Sequence, residues 1–146
     1  MPRPVDEPIP DNEALYRGLL PEWIKGQAVL LDAVDLEGTS VNRHKYNPDP
    51  VAAILASPGN TGVASIVGAD FPEPLVRQAG PPYRFRADDL PSDLNEAHAE
   101  IRPYRVGKPW DHGHKIAPAN RLLLKQGLAD KMKLLPFTAS PSLSPT

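Results

Sequence analysis

The chain contains no cysteine. Structural disulfides, thiolate zinc centres and cysteine nucleophiles are therefore excluded together, an absence that fits a cytoplasmic protein. Also missing are an apolar run approaching the ~20 residues needed to cross a bilayer and, at the N-terminus, the apolar stretch of a signal peptide. The expectation is a soluble cytoplasmic protein with no membrane partner. The sequence has no G-x-x-x-x-G-K-[ST] phosphate loop, G-x-G-x-x-G turn, G-x-S-x-G elbow or H-E-x-x-H pair. His98 and Glu100 match the first half of the zinc deaminase signature. Its second half requires cysteines, so deamination is out.

Apolar residues make up 40% of the chain, low for a globular protein but too many for wholesale disorder. Proline is abundant instead, 19 in 146 residues, where ~5% is usual. Such a chain should build short helices and strands joined by irregular segments. Its length suits one domain with a real core.

Charge is unevenly spread. Residues 1–37 carry three basic and eight acidic groups, residues 38–101 five and eight, and residues 102–146 eight and two. The basic C-terminal third suits an acidic protein partner, a phosphate ligand or nucleic acid. Arg102, Arg105, Lys108, Lys115, Arg121 and Lys125 are the candidate contacts. The overall balance, a net charge of -2, speaks against a dedicated duplex-DNA binder.

Along the chain, residues 1–10 form an extended proline-rich arm. A first helix should follow Asp11 or Asn12, with Leu15, Leu19, Leu20, Trp23 and Ile24 as its apolar stripe and Pro21 limiting it. Residues 27–36 read as a partly two-sided buried strand. Asp49 then caps a second helix with Pro50 at its first position and Val51 to Ala56 following. Gly62 to Val67, Tyr83 to Arg86 and His98 to Val106 read as strands, the last at an edge or ending early because of Pro103. Ala117 to Lys125 is a late helix with Ile116, Ala119, Leu123 and Leu124 on one side, weakened at Gly127. Lys131 to Leu135 closes the sheet.

The fold class expected is α+β: a small, mixed, mainly antiparallel sheet with short helices on one face and proline-rich extended termini. A single domain spans 11–135, and a Ser/Pro-rich tail spans 136–146.

Three segments carry side chains suited to chemistry. In His98-Ala99-Glu100-Ile101-Arg102-Pro103-Tyr104, strand periodicity puts His98, Glu100, Arg102 and Tyr104 on one face. His98 is a candidate acid or base, Glu100 its orienting carboxylate and Arg102 a stabiliser of negative charge. The alternative is a solvated face with ordinary ion pairs. In Thr39–Tyr46, Ser40, Asn42, His44 and Tyr46 alternate with Thr39, Val41, Arg43 and Lys45. There Arg43 and Lys45 suit a phosphate or carboxylate, with Ser40, Asn42 and His44, and Tyr104 of the His98 row, as further ligand contacts. A solvated edge strand competes with that reading. Finally, His112 and His114 flank Gly113 after Asp111, but an isolated H-x-H is common by chance. No metal or other cofactor is assigned. Trp110, in a loop, is a candidate interface anchor.

The segments Asp11-Asn12-Glu13-Ala14-Leu15, Thr39–Tyr46 (S-V-N-R-x-K-Y) and Ala97–Ile101 (H-[AS]-E-I) resemble those of a group of small uncharacterised bacterial proteins. The resemblance implies no activity, only that the two polar segments belong to one surface. The favoured expectation is a small protein acting by binding, as an accessory or subunit of a larger protein or protein–nucleic acid assembly. The alternative is an enzyme or receptor for a phosphorylated ligand. It requires His98, Glu100 and Arg102 to face one cleft with Arg43 and Lys45.

Overall fold

A computed structural model describes residues 6–55, 57–74, 82–110 and 116–136. The fold is α+β, built on a six-stranded antiparallel sheet. In chain order its strands are β1 (Ala14–Leu19), β4 (Thr39–Arg43), β5 (Gly62–Val67), β6 (Tyr83–Asp89), β7 (His98–Arg105) and β8 (Lys133–Leu134). Their spatial order is β6-β7-β4-β1-β5-β8. A two-residue hairpin, β2 (Ile24–Lys25) and β3 (Ala28–Val29), stands apart. It turns at Gly26, whose φ of 62° is easy only for glycine. The helices are α1 (Val51–Leu55) and α2 (Pro118–Lys131).

Register divides the sheet into two unlike faces. Pairings Leu15↔Arg43, Val41↔Ala99, Thr39↔Ile101 and Ala87↔Ile101 put these residues on one side. That side is the core: Leu15, Val41, Ala99, Ile101 and Phe85 are buried against Leu124, Leu128 and Ala129 of α2 and against Val29, Ala33, Val34 and Leu36. The opposite side carries Tyr16, Ser40, Asn42, His98, Glu100 and Asp88. Among the described residues no long helix covers it: Trp110 packs on Tyr104 at one end, and α1 lays Ala53 and Ile54 on Tyr16 and Val63 at the other, the β1/β5 end. Gly18 makes this possible, since a Cβ there would lie 2.1 Å from the Ala53 carbonyl oxygen. The two helices thus flank opposite faces, not one as expected.

Other sequence expectations are also corrected. No first helix forms; Ala14–Leu19 is a strand, followed by a 3₁₀ turn at Pro21–Trp23. Strand 27–36 shrinks to Ala28–Val29, and Leu31–Ala33 is another 3₁₀ turn. Helix α2 runs six residues past Lys125 and passes through Gly127, burying Leu124 and Leu128 but leaving Leu123 half-exposed. Strand β7 is interior, not an edge. Pro103 is tolerated because it stands opposite Phe85, beyond the last β4 pair at Thr39↔Ile101. The bonds Leu90 N–H to His98 O and Val106 N–H to Pro82 O set the phase of the β6–β7 ladder. In that phase Pro103 is never asked for an N–H.

The strand at 62–67, the helix after Asp49 and the closing strand lie where the sequence puts them. Asp49 accepts a bond from Val51 N–H at 3.0 Å, as a helix-starting aspartate should.

Candidate functional site

The two polar segments are adjacent strands, but they do not pool their charges. Arg43 points into the core side and is fully buried. Its fork grips Glu13 through Nε at 3.0 Å and Nη2 at 2.7 Å, while Nη1 reaches Glu7 at 2.7 Å and Asp89 at 3.1 Å. Lys45 Nζ bonds Glu7 at 3.0 Å and the Tyr46 hydroxyl donates to the same carboxylate. Residues 6–10 of the proline-rich arm are therefore clamped to this chain, with Glu7 in the clamp and Ile9 against the core. The expectation that Arg43 and Lys45 offer a phosphate site shared with His98 is corrected. His98 pairs with Asn42 and lies on the other face, and Arg43 already holds three carboxylates.

These bonds shift the carboxylates. Lys45, then Tyr46 and Arg43, hold Glu7 down from 4.5 to about 2. Burial opposes ionisation of Glu13, but the bonds from Arg43 and the Lys45 amide outweigh it and keep its pKa below normal. Between the ordinary value of 4.5 and about 2, Glu7 is ionised in the fold and protonated in the unfolded chain. Stability contributed by these groups is present above that window and is lost as pH falls through it. Thermal melts taken stepwise from pH 5 to about 2 should show a declining midpoint, with Glu7→Gln flattening the decline.

The uncovered face holds the His98 row. His98 Nδ1 lies 3.0 Å from the Leu90 carbonyl oxygen, which can only accept, so Nδ1 carries the proton in the neutral ring. Nε2 is then the acceptor, 3.3 Å from Ser40 Oγ, with Glu100 Oε2 at 3.8 Å. Glu100 Oε1 accepts from Arg102 at 3.1 and 3.3 Å, and Arg102 Nη1 reaches Asp88 at 3.3 Å. Asp88 also accepts from Arg86 Nε at 2.9 Å and from the Tyr104 hydroxyl. Burial and Asp88 together raise the Tyr104 pKa. Arg86 stacks 3.8 Å from the Tyr104 ring centre, and Trp110 packs against Tyr104 and under Arg102.

Ser40, His98, Glu100, Arg102 and Tyr104 are thus one continuous polar row. Asn42 joins it through Asn95, whose Nδ2 donates to Asn42 Oδ1 at 2.8 Å. His44 does not; its Nδ1 sits 2.6 Å from the Tyr16 hydroxyl, at the β1 end.

A cleft of about 260 Å³ opens beside Ser40 and His98, bounded by Arg17, Asn42, Asn60 and Asn95. Arg17 enters because β1 and β4 pair only at Leu15↔Arg43 and Tyr16↔Asn42. Beyond those pairs its guanidinium bridges the gap, donating to the Ser40 carbonyl at 3.1 Å and the Ala33 carbonyl at 2.9 and 3.1 Å.

The sequence reading missed Arg17, Asp88 and Asn95. Asp88 was legible: it extends the alternation Arg84, Arg86 on the same face. Arg17 was not, because nothing in a sequence marks where two strands splay.

Among the described residues, the basic C-terminal third forms no single stripe. Arg102 lies on the uncovered face and Arg121 and Lys125 lie on α2, behind the core. Asp111, His112, His114 and Lys115 fall outside the described residues, as do 1–5 of the arm and 137–146 of the tail. Among the described residues, no cluster of three or more His, Asp or Glu could hold a metal, and no helix is long and apolar enough to cross a membrane. Comparison with protein-family models, curated proteins and solved structures finds no match.

Proposed function

We propose that the protein works by binding another protein, as an accessory or subunit of a larger assembly. The contact surface is the uncovered face of β4, β7 and β6 with its apolar border. The observation that carries this reading is Leu94, 99% exposed, and Leu55, 79% exposed, which border one depression with Asn42, Asn47, Ala52 and Asn95. Two leucines left in water beside an uncovered sheet face are a cost that a partner removes. Trp110, packed over the buried Tyr104, extends the surface with a residue type favoured in interface centres.

The charges favour a protein over a polyphosphate. Arg102 is engaged by Glu100 and Asp88, and Arg86 by Asp88. A phosphate chain would have to displace those carboxylates, whereas a mixed-charge protein surface can pair with both signs. Nucleic acid would bind with steep salt dependence; a leucine-anchored protein complex should not.

Leu55→Asp/Leu94→Asp should leave the melting curve within about 0.5 kcal/mol of wild type, as exposed substitutions do. It should abolish the co-purifying complex seen by light scattering in extracts of the native host. A lone monomer for the wild type, or an intact complex in the double variant, overturns the reading.

A further inference from the structure

Ser40, His98 and Arg17 converge on the cleft in a way that binding does not require. Three parts of a nucleophilic site are in place. The nucleophile, Ser40 Oγ, is exposed and lies 3.3 Å from His98 Nε2. The base is held in the right tautomer, since the Leu90 carbonyl at 3.0 Å fixes the proton on Nδ1 and leaves Nε2 to accept. Glu100, at 3.8 Å, is placed to stabilise the imidazolium that forms. Arg17 also borders the cleft, its nitrogens held by the Ser40 and Ala33 carbonyls, so it acts on a developing oxyanion through its charge and not as a direct donor. Asn42 spends its oxygen on Asn95, which leaves its amide as a donor lining the cleft. Orienter, base and nucleophile come from three places in the chain: the loop after β6, the start of β7 and the exposed face of β4.

We propose that Ser40 is an acyl-accepting nucleophile, activated by His98, in a cleft that takes small esters. Ser40 Oγ attacks the ester carbonyl carbon as its proton passes to His98 Nε2. The carbonyl–oxygen bond to the alcohol breaks, and the proton on His98 goes to the departing alkoxide. Water then attacks the acyl-serine, giving its proton to His98, which returns it to Ser40 Oγ as the acid leaves. The substrate class follows from size and lining. A volume of about 260 Å³ lies below the usual range for drug-sized ligands, so the acyl group is short and the substrate a compact carbonyl compound.

The probe is 4-nitrophenyl acetate on the full chain, read by intact mass and by peptide mapping. Because water completes the cycle, samples are acid-quenched during turnover; the expected result is repeated release of 4-nitrophenolate with acetyl trapped on Ser40, and neither in Ser40→Ala. His98→Gln should slow acetylation tenfold or more, a base commonly contributing 10²–10⁴. Both side chains are at the surface, so unchanged circular dichroism separates lost chemistry from lost folding. No acetylation of the wild type, acetyl only on lysine or tyrosine, or a His98→Gln rate within tenfold of wild type overturns the proposal. The leucine variants of the binding surface should acetylate normally, so the two readings fail independently.

Discussion

Arg43→Met is expected to destabilise the protein by about 3–5 kcal/mol, the scale measured when one partner of a buried ion pair is removed. The substitution roughly keeps volume and leaves the strand pairing alone, so packing loss is a minor part. What remains is the problem: Glu13 and Asp89 lose their shared cation with side chains almost wholly out of water, and Glu7 loses one of its partners. Carboxylates stranded this way must protonate, draw in water or open the fold. Urea melts check the magnitude, with an unchanged m-value showing that the unfolded state is the same. The double variant Arg43→Met/Glu13→Gln should be more stable than the two single effects added, because one uncompensated charge is gone. Simple additivity would mean that the guanidinium acts mainly through packing. Lys45 still holds Glu7, so the arm should stay attached longest at neutral pH.

That cluster also marks what the sequence can and cannot reveal. Residues 39–46 announce a strand with alternating polarity, and β4 forms there. The alternation even separates Ser40 and Asn42 from Thr39, Val41 and Arg43 correctly. It does not say which set faces the core, and intuition puts an arginine outside. The answer depends on Glu7, Glu13 and Asp89, residues from three other segments whose acidity looks like ordinary solvation until the chain is folded.

The failed first helix has a different cause. Leu15 and Leu19 are four apart, a spacing that puts two residues on one face of a helix and on one face of a strand alike. Tertiary pairing decided it: β1 is central, bonded to β4 on one side and β5 on the other. Pro103 misled for a related reason, since a proline excludes a hydrogen bond only where the ladder asks for one. The His98 row was legible because period two is enough to place it; the cleft beside it was not, because it exists only where β1 and β4 part.

Helix α2 supplies the second large effect, and its own sequence supplies the control. Leu128→Ala should cost about 2–5 kcal/mol, as for other fully buried leucines, while Leu122→Ala should stay within about 0.5 kcal/mol. Both are leucine-to-alanine changes in the same helix, so helix propensity shifts by the same small amount. They differ in burial: Leu128 is 0% exposed and Leu122 is 59% exposed. Leu128 packs with Leu124, one turn earlier, and with Ala129 and Met132 against the core side of the sheet. Truncating it leaves a void that flanking strands cannot close without moving the register. Thermal melts should separate the pair by roughly 6–20 °C at this chain length. If both variants melt alike, α2 is rotated or loosely attached, and the core side of the sheet is not where it has been placed. Retention of the difference would also support assigning the opposite face to recognition, because the face sealed by α2 is closed to a partner.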